Sequence, residues 1–154
     1  MVGVGSMDDI DKKILNIIQN DFPIVAEPFK AVGERLGLSD DEVLARVRNL
    51  KADGIIRRVG AVFDLRKLGY ASTLCAAQVP EDKLEKFVNM VNAYPGVTHN
   101  YRRKHDYNIW FTFIAPTMAD IEKALAEITE KTGVTGILNM PARRTFKINA
   151  SFRL

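Results

Sequence analysis

The stretch from Gly96 to Phe113 constrains the fold most strongly. It is rich in β-forming residues on both sides of His105-Asp106, so it predicts a hairpin with strands over 97–104 and 107–114 and a two-residue turn. Side chains alternate across a sheet, so this register places one polar and aromatic set on a single face: His99, Tyr101, Arg103, Asn108, Trp110 and Thr112. The other face of the second strand carries Tyr107, Ile109, Phe111 and Phe113. The pattern therefore predicts one core face and one open face that meets a ligand or partner. A shift of the strand register by one residue would exchange the two faces.

The residues around the hairpin predict two more strands and two helices. A strand over 71–79 precedes a helix over 81–93, and a second helix begins after the N-cap residue Thr117. A final strand or two is expected over 134–152. The resulting β-α-β-β-α-β order is the ferredoxin-like pattern, which we assign to residues 71–154.

The first part of the chain has a different pattern. Residues 8–60 contain three short segments of helical apolar spacing, and Ser39-Asp40-Asp41-Glu42 forms a capping-box sequence before the third. A short strand is expected over 55–59. This layout predicts a winged helix-turn-helix domain, joined by a linker over 61–70 to the ferredoxin-like domain, in an α+β chain. Residues 1–7 lack any periodic pattern and are expected to form a disordered leader.

Composition excludes several classes of protein. The chain has 154 residues, 47% of them hydrophobic, which is enough for one domain or two small ones. No apolar run approaches membrane-spanning length. The single cysteine, Cys75, excludes an internal disulfide, and its apolar neighbours predict a buried structural thiol in a protein of the reducing cytoplasm.

The distribution of charge argues against DNA binding. The net charge is +3, but residues 1–60 hold nine basic and ten acidic residues, so the excess positive charge lies in the second part. The helix that should contact DNA begins with Asp40, Asp41 and Glu42, and these carboxylates would repel phosphates. Arg46, Arg48, Arg57 and Arg58 are the basic residues that could contact phosphate there.

The open face of the hairpin suits a flat, anionic ligand. His99 lies about 13 Å from Arg103 and about 20 Å from His105 along an extended strand, so the two histidines cannot share one metal ion. A lone histidine can still serve as an axial ligand to a metal inside a macrocycle or as a proton donor. Arginine binds carboxylates through its forked donors, while Tyr101 and Trp110 offer flat apolar surfaces.

A helix-turn-helix followed by a ferredoxin-like domain resembles the leucine-responsive (Lrp/AsnC-type) regulators. Within that group, HNYRRKHDYNIWFTF resembles the HNYxRxHxYNxWFT signature of the sirohaem decarboxylases. The segments FPIVAEPFKAVGERLG, EVLARVRNLKADGIIRRVGAVFD and LGYASTLCAAQVP resemble the same family. One position stands out, because helix propensity favours alanine over Gly33 in the second helix and so predicts weaker stability there.

The resemblance implies a carboxy-lyase that acts on a tetrapyrrole. It would remove carbon dioxide from two acetate side chains of sirohaem, at positions 12 and 18, giving didecarboxysirohaem on an alternative route to haem. The family works as two homologous subunits, commonly a heterodimer. It needs no cofactor beyond the iron of sirohaem, and binding of haem as product or regulator stays open.

Several residues are assigned roles as hypotheses. Arg103 would orient a carboxylate and His99 would donate a proton, with axial coordination of the iron by His99 as the competing assignment. His105 either reaches a second carboxylate or is simply exposed. Tyr101, Asn108 and Trp110 would line the substrate, although packing against a partner subunit also explains the aromatic pair. Near the C-terminus lie three basic residues, Arg143, Arg144 and Lys147. Alternation along a strand places Arg143 and Lys147 on one face and Arg144 on the other. These residues either contact carboxylates of the substrate or belong to a solvated strand end.

Two other functions remain open at this point. The fold suits a DNA-binding transcriptional regulator with a small-molecule effector domain, although its electrostatics are unfavourable. A domain that senses free amino acids between subunits is the third alternative, for which the basic and aromatic hairpin is oversized.

Overall fold

The computed structural model describes residues 7–148, 151 and 154. The described residues form two compact units, one from residues 7–61 with 147, 148, 151 and 154, and one from residues 62–146. Most of the expected leader lies outside the described residues, whereas Met7 packs against the core of the first unit. Within the described ranges, no helix has both the length and the apolar character needed to span a membrane.

Three helices build the first unit: α1 (Asp9–Asn20), α2 (Pro28–Leu36) and α3 (Asp40–Ala52). Asp8 and Asp11 form a reciprocal capping box at the start of α1, and the Ser39 side chain accepts a hydrogen bond from the Glu42 backbone at the start of α3. The apolar stripes of the helices meet in one core of Ile14, Leu15, Val32, Val43, Val47, Leu50 and Ile56. The predicted helix-turn-helix is confirmed.

The strand expected over 55–59 is not formed, so that prediction was wrong. Ile56 instead donates its backbone N–H to the Leu50 carbonyl at 3.0 Å and buries its side chain against the helices. Arg57 and Arg58 are exposed. No strand elsewhere in the described part of this unit offers a ladder partner, and a lone strand leaves its backbone groups unpaired.

Gly33 is required by the fold, contrary to the expectation from helix propensity. A Cβ atom on Gly33 would lie 2.5 Å from the Leu38 carbonyl oxygen, closer than van der Waals contact allows. The chain after α2 folds back closely enough for the Leu38 N–H to bond the Gly33 carbonyl at 2.9 Å. Glycine is therefore the residue that permits this turn.

The second unit has the predicted ferredoxin-like order. Its elements are β1 (Ala71–Ala77), a short 3-10 helix (Glu81–Lys83), α4 (Leu84–Asn92), β2 (Val97–Arg102), β3 (Ile109–Ala115), α5 (Met118–Thr132) and β4 (Leu138–Pro141). The strands are antiparallel in the order β2-β3-β1-β4, and α4 and α5 pack on one face of the sheet. Thr117 is the N-cap of α5, as predicted, and it forms a reciprocal capping box with Asp120.

The predicted register of the hairpin is confirmed. His99 pairs with Thr112 and Tyr101 pairs with Trp110. The core face carries Ile109, Phe111 and Phe113, all at most 4% exposed. The loop is wider than two residues, because the strands end at Arg102 and resume at Ile109. A bulge between Val97 and His99 is a further difference.

The last strand is much shorter than expected. β4 ends at Pro141, whose backbone has no N–H to extend the ladder. Arg143, Arg144 and Lys147 lie beyond the strand and are exposed, so the alternation that assigned them to faces does not apply. Three residues of the expected strand region, 149, 150 and 152, lie outside the described residues.

Candidate functional site

The open face of the sheet in the second unit carries a cluster of polar and aromatic side chains. We call His99, Tyr101, Arg103, Trp110 and Thr112 the open-face cluster. The His99 and Tyr101 rings stack with centroids 6.0 Å apart, and the Arg103 guanidinium lies 5.6 Å from the centre of the Trp110 ring. Tyr101 is 53% exposed. The cluster therefore offers cationic donors beside flat surfaces that solvent or a ligand can reach.

Two threonine hydroxyls hold the His99 ring. The His99 Nδ1 lies 3.0 Å from the Thr98 Oγ1 and 3.3 Å from the Thr112 Oγ1, and the two hydroxyls lie 2.8 Å apart. Because the bulge places Thr98 as an extra residue, neighbouring positions 98 and 99 both reach Thr112. No described residue hydrogen-bonds the other ring nitrogen, Nε2.

The loop between β2 and β3 is held by its own side chains. The Tyr107 N–H donates to His105 Nδ1 at 3.1 Å, and these two rings stack with centroids 6.4 Å apart. The Trp110 indole N–H donates to the Tyr107 carbonyl at 2.6 Å, and the Arg103 N–H donates to the Asn108 carbonyl at 2.8 Å. His105 is exposed but has a defined orientation.

Asn108 has a structural partner. Its amide oxygen accepts from the Val79 N–H and its amide NH2 donates to the Val79 carbonyl, each at 2.8 Å. The pair joins the start of β3 to the segment that follows β1. Both polar groups of the side chain are engaged, so Asn108 acts here as a clamp on the backbone.

The basic triplet of the hairpin divides between two faces of the sheet. Arg102 points toward the helices and pairs with Glu81 at 2.7 Å, beside a cavity of about 330 Å³ between α4 and β2. Arg103 lies on the open face. Alternation predicts this division, whereas Glu81 as the partner of Arg102 was not foreseen.

The C-terminal basic residues lie apart from the cluster. Arg143 and Arg144 follow β4, which is two strand spacings from β3 and three from β2, or about 10 Å and about 14 Å across the sheet. The Arg144 guanidinium covers the Phe146 ring at 4.9 Å. Lys147 groups with the first unit.

In the first unit, the electrostatics disfavour DNA binding. Arg46 on α3 binds Asp8 at 2.8 Å, Asp11 at 2.9 Å and Glu42 at 3.3 Å, so its charge is already neutralised. The Asp11 backbone N–H and the Arg46 guanidinium hold the pKa of Asp8 below its usual value. The first turn of α3 is acidic and exposed.

Cys75 is fully buried in the core of the second unit, as predicted. Burial raises the pKa of its thiol to about 12. The thiolate that nucleophilic chemistry needs is therefore scarce at neutral pH.

Comparison with known proteins identifies the family. Residues 11–57 match the family model of the sirohaem decarboxylase NirDL-like HTH domain, and residues 67–147 match that of the AsnC-like ligand-binding domain. The sirohaem decarboxylase alpha subunit of Desulfovibrio desulfuricans (strain ATCC 27774) is 55% identical over 151 residues, which cover 98% of this chain and 87% of that protein. The chain belongs to the sirohaem decarboxylase family.

Solved structures agree with membership of the sirohaem decarboxylase family. The sirohaem decarboxylase NirDL in complex with an iron-uroporphyrin III analogue is 40% identical, with a TM-score of 0.70 over 86% of this chain. The chain spans 44% of the length of that NirDL chain. An AsnC family transcriptional regulator from Agrobacterium tumefaciens is 23% identical, with a TM-score of 0.76 over 95% of this chain and 96% of its own, and shows the shared fold alone.

Proposed function

We propose that this chain is one subunit of a sirohaem decarboxylase, a carboxy-lyase of the cytoplasm. It would convert the acetate side chains at positions 12 and 18 of sirohaem to methyl groups, giving didecarboxysirohaem. The observation that carries the proposal is the open-face cluster, in which the signature residues His99, Tyr101, Arg103 and Trp110 share one accessible face. The 55% identity to a sirohaem decarboxylase alpha subunit supports the same reaction.

The chemistry asks little of the protein beyond binding and a proton. The carbon–carbon bond of an ionised acetate breaks, carbon dioxide leaves, and the electron pair remains on the methylene attached to the macrocycle. The conjugated ring spreads that charge until a proton completes the methyl group. Arg103 would hold the carboxylate through its forked donors, and His99 Nε2 would supply the proton, with axial coordination of the iron as its competing role.

Other residues of the site would hold the substrate. Tyr101 and Trp110 would lie against the plane of the ring, and His105 would reach a second carboxylate. Of the basic residues after β4, Arg143 and Arg144 would meet more distant carboxylates of so large a ligand, while a role for Lys147 rests on the resemblance alone. The iron belongs to the substrate, and we propose no additional cofactor. Binding of haem at the same face, as product or regulator, is an extension of this proposal.

A homologous second subunit would complete the enzyme, commonly as a heterodimer. The relative is named as an alpha subunit, which supports a partner, and a NirDL chain about twice as long has room for two such units. Two exposed apolar side chains, Leu74 on β1 next to the cluster and Leu138 on β4 one strand further, suit contact with another protein.

A DNA-binding regulator is the weaker alternative. The acidic start of α3 and the neutralised Arg46 disfavour it, and the regulators of similar fold are far less identical to this chain than the decarboxylases are. An amino-acid sensor is a further alternative, which titration with free amino acids would separate from tetrapyrrole binding.

The test is an anaerobic reaction with sirohaem. The purified chain, alone and with its homologous partner, is mixed with sirohaem, and the absorbance spectrum and product mass are recorded. Loss of two carboxyl groups as carbon dioxide supports the proposal, and the two samples show whether the partner is needed. An unchanged mass and spectrum in both samples would refute it and favour the regulator.

A further inference from the structure

The two histidines of the hairpin meet different partners at Nδ1, and this difference limits what each can do at Nε2. A neutral imidazole carries one proton, so a nitrogen that accepts a hydrogen bond leaves the proton on the other nitrogen. His105 Nδ1 faces a backbone N–H, whereas His99 Nδ1 faces two hydroxyls.

His105 is restricted to one neutral tautomer. The Tyr107 backbone N–H can only donate, so while this 3.1 Å bond is present His105 Nδ1 is unprotonated and the proton is on Nε2. To coordinate iron through Nε2, the ring would have to move that proton to Nδ1, where it would oppose the Tyr107 N–H. His105 therefore presents an N–H donor.

His99 has no such restriction. A hydroxyl both donates and accepts, so Thr98 and Thr112 can pair with His99 Nδ1 whether or not it carries a proton. Their mutual contact at 2.8 Å lets the hydroxyl protons reverse direction with the ring. His99 Nε2 can accordingly offer either a proton or a lone pair at one fixed orientation.

We propose that Thr98 and Thr112 are positioning residues that allow His99 to exchange tautomers, and that the Tyr107 backbone locks His105 as an Nε2–H donor. This inference rests on the proposed function and gives the two histidines of the site different roles. His99 is the histidine that can donate the proton or coordinate the iron, and His105 is a donor to a substrate carboxylate. Ring nitrogens of metal ligands are commonly set by such partners of their other nitrogen.

The tautomers can be measured without any tetrapyrrole. These are the only two histidines in the chain, so long-range ¹H–¹⁵N correlation of the full labelled chain, above the pH where the rings are neutral, shows two imidazoles. His105→Gln assigns the signals. We expect His105 to show Nε2–H alone, and Thr98→Val with Thr112→Val to shift the His99 nitrogens while His105 stays unchanged. An Nδ1–H signal from His105 would overturn the inference. So would His99 nitrogen signals that stay unshifted when Thr98→Val and Thr112→Val are combined.

Iron-uroporphyrin III then serves as the probe for the division of roles. If His99 coordinates the iron, the absorbance and paramagnetic resonance signatures of axial histidine should survive His105→Gln and be lost in His99→Gln. If His99 is the proton donor, no axial signature forms and His99→Gln alone should abolish decarboxylation. Thr112→Val should weaken binding of iron-uroporphyrin III about tenfold, because loss of a hydrogen bond that supports a metal ligand typically has an effect of this size. Thr112→Ser, which keeps the hydroxyl, and Ser72→Ala, elsewhere on the same face, should bind like the natural chain.

The two experiments test different claims. The tautomer measurement depends only on the hydrogen bonds of the hairpin and not on tetrapyrrole binding. If the tautomers are as expected but iron-uroporphyrin III binds neither the chain alone nor the chain with its homologous partner, the tetrapyrrole function is refuted while the hydrogen-bond assignment stands. An axial signature that disappears in His105→Gln and persists in His99→Gln would overturn the division of roles.

Discussion

Replacing Asn108 separates a structural role from a substrate-binding role. In Asn108→Ala the Val79 N–H and carbonyl both lose their 2.8 Å partners, and Val79 is only 4% exposed. An unsatisfied buried polar group costs about 1–3 kcal/mol, and because half-buried Asn108 leaves room for water we expect the low end for each. The free energy of unfolding should therefore fall by about 2 kcal/mol, or about 8–16 °C in Tm for a unit of this size.

Trp110 provides a direct assay for this change. It is the only tryptophan of the chain and lies in β3, so its fluorescence during urea unfolding reports on the second unit. Asn108→Asp keeps an acceptor for the Val79 N–H, but its carboxylate faces the Val79 carbonyl oxygen without a donor, so we expect a loss no smaller than that of Asn108→Ala. Asn100→Ala is the matched control, because its exposed bond to Asn92 at 2.9 Å should change stability by less than about 0.5 kcal/mol.

The competing interpretation gives the opposite result. If Asn108 binds substrate and does not clamp the backbone, Asn108→Ala keeps its unfolding midpoint and weakens binding of iron-uroporphyrin III. That combination would refute the assignment made from the structure.

Three further predictions concern the cores and the first helix. Gly33→Ala should lower the free energy of unfolding by on the order of 1–3 kcal/mol through overpacking, whereas helix propensity alone predicts a gain of about 1 kcal/mol, so a higher Tm in circular dichroism would contradict the account. Cys75 should resist alkylation at neutral pH until the protein unfolds, because burial raises its pKa to about 12, and fast labelling of the native chain would show the thiol to be accessible. The pKa of Asp8 is lower in the folded chain than its ordinary value of 3.8, so the ionised carboxylate stabilises the fold at any pH above 3.8. This stabilisation is lost as the pH falls through the lower pKa of the folded state. In Arg46→Met the free energy of unfolding should therefore fall less steeply as the pH is lowered. A pH dependence identical to that of the natural chain would count against this ion-pair network.

Local rules predicted most of the fold because the relevant signals are local. Alternation in the hairpin gave the register and the core face, and Thr117 and Asp8 cap their helices through residues three positions away. The missing strand over 55–59 shows the limit of such rules. A strand needs a partner, and partners are set by long-range pairing that a short apolar segment does not reveal.

The site was predictable in its residues and less so in its connections. Alternation separates Arg102 from Arg103, but only the folded chain brings Glu81 to the first of them. The bulge that directs Thr98 toward His99 has no sequence signal, since threonine suits an ordinary strand position equally well. The Asn108 clamp depends on a residue 29 positions away, beyond any local pattern.

A comparison of the two neighbouring arginines tests whether decarboxylation takes place on the open face. In the anaerobic assay with sirohaem and the partner subunit, Arg103→Ala should abolish the loss of carbon dioxide, because Arg103 lies on the open face. Arg102→Ala should still form the decarboxylated product, because Arg102 lies on the helix side and pairs with Glu81. Full decarboxylation by Arg103→Ala, or its loss in Arg102→Ala alone, would place the reaction away from the open-face cluster.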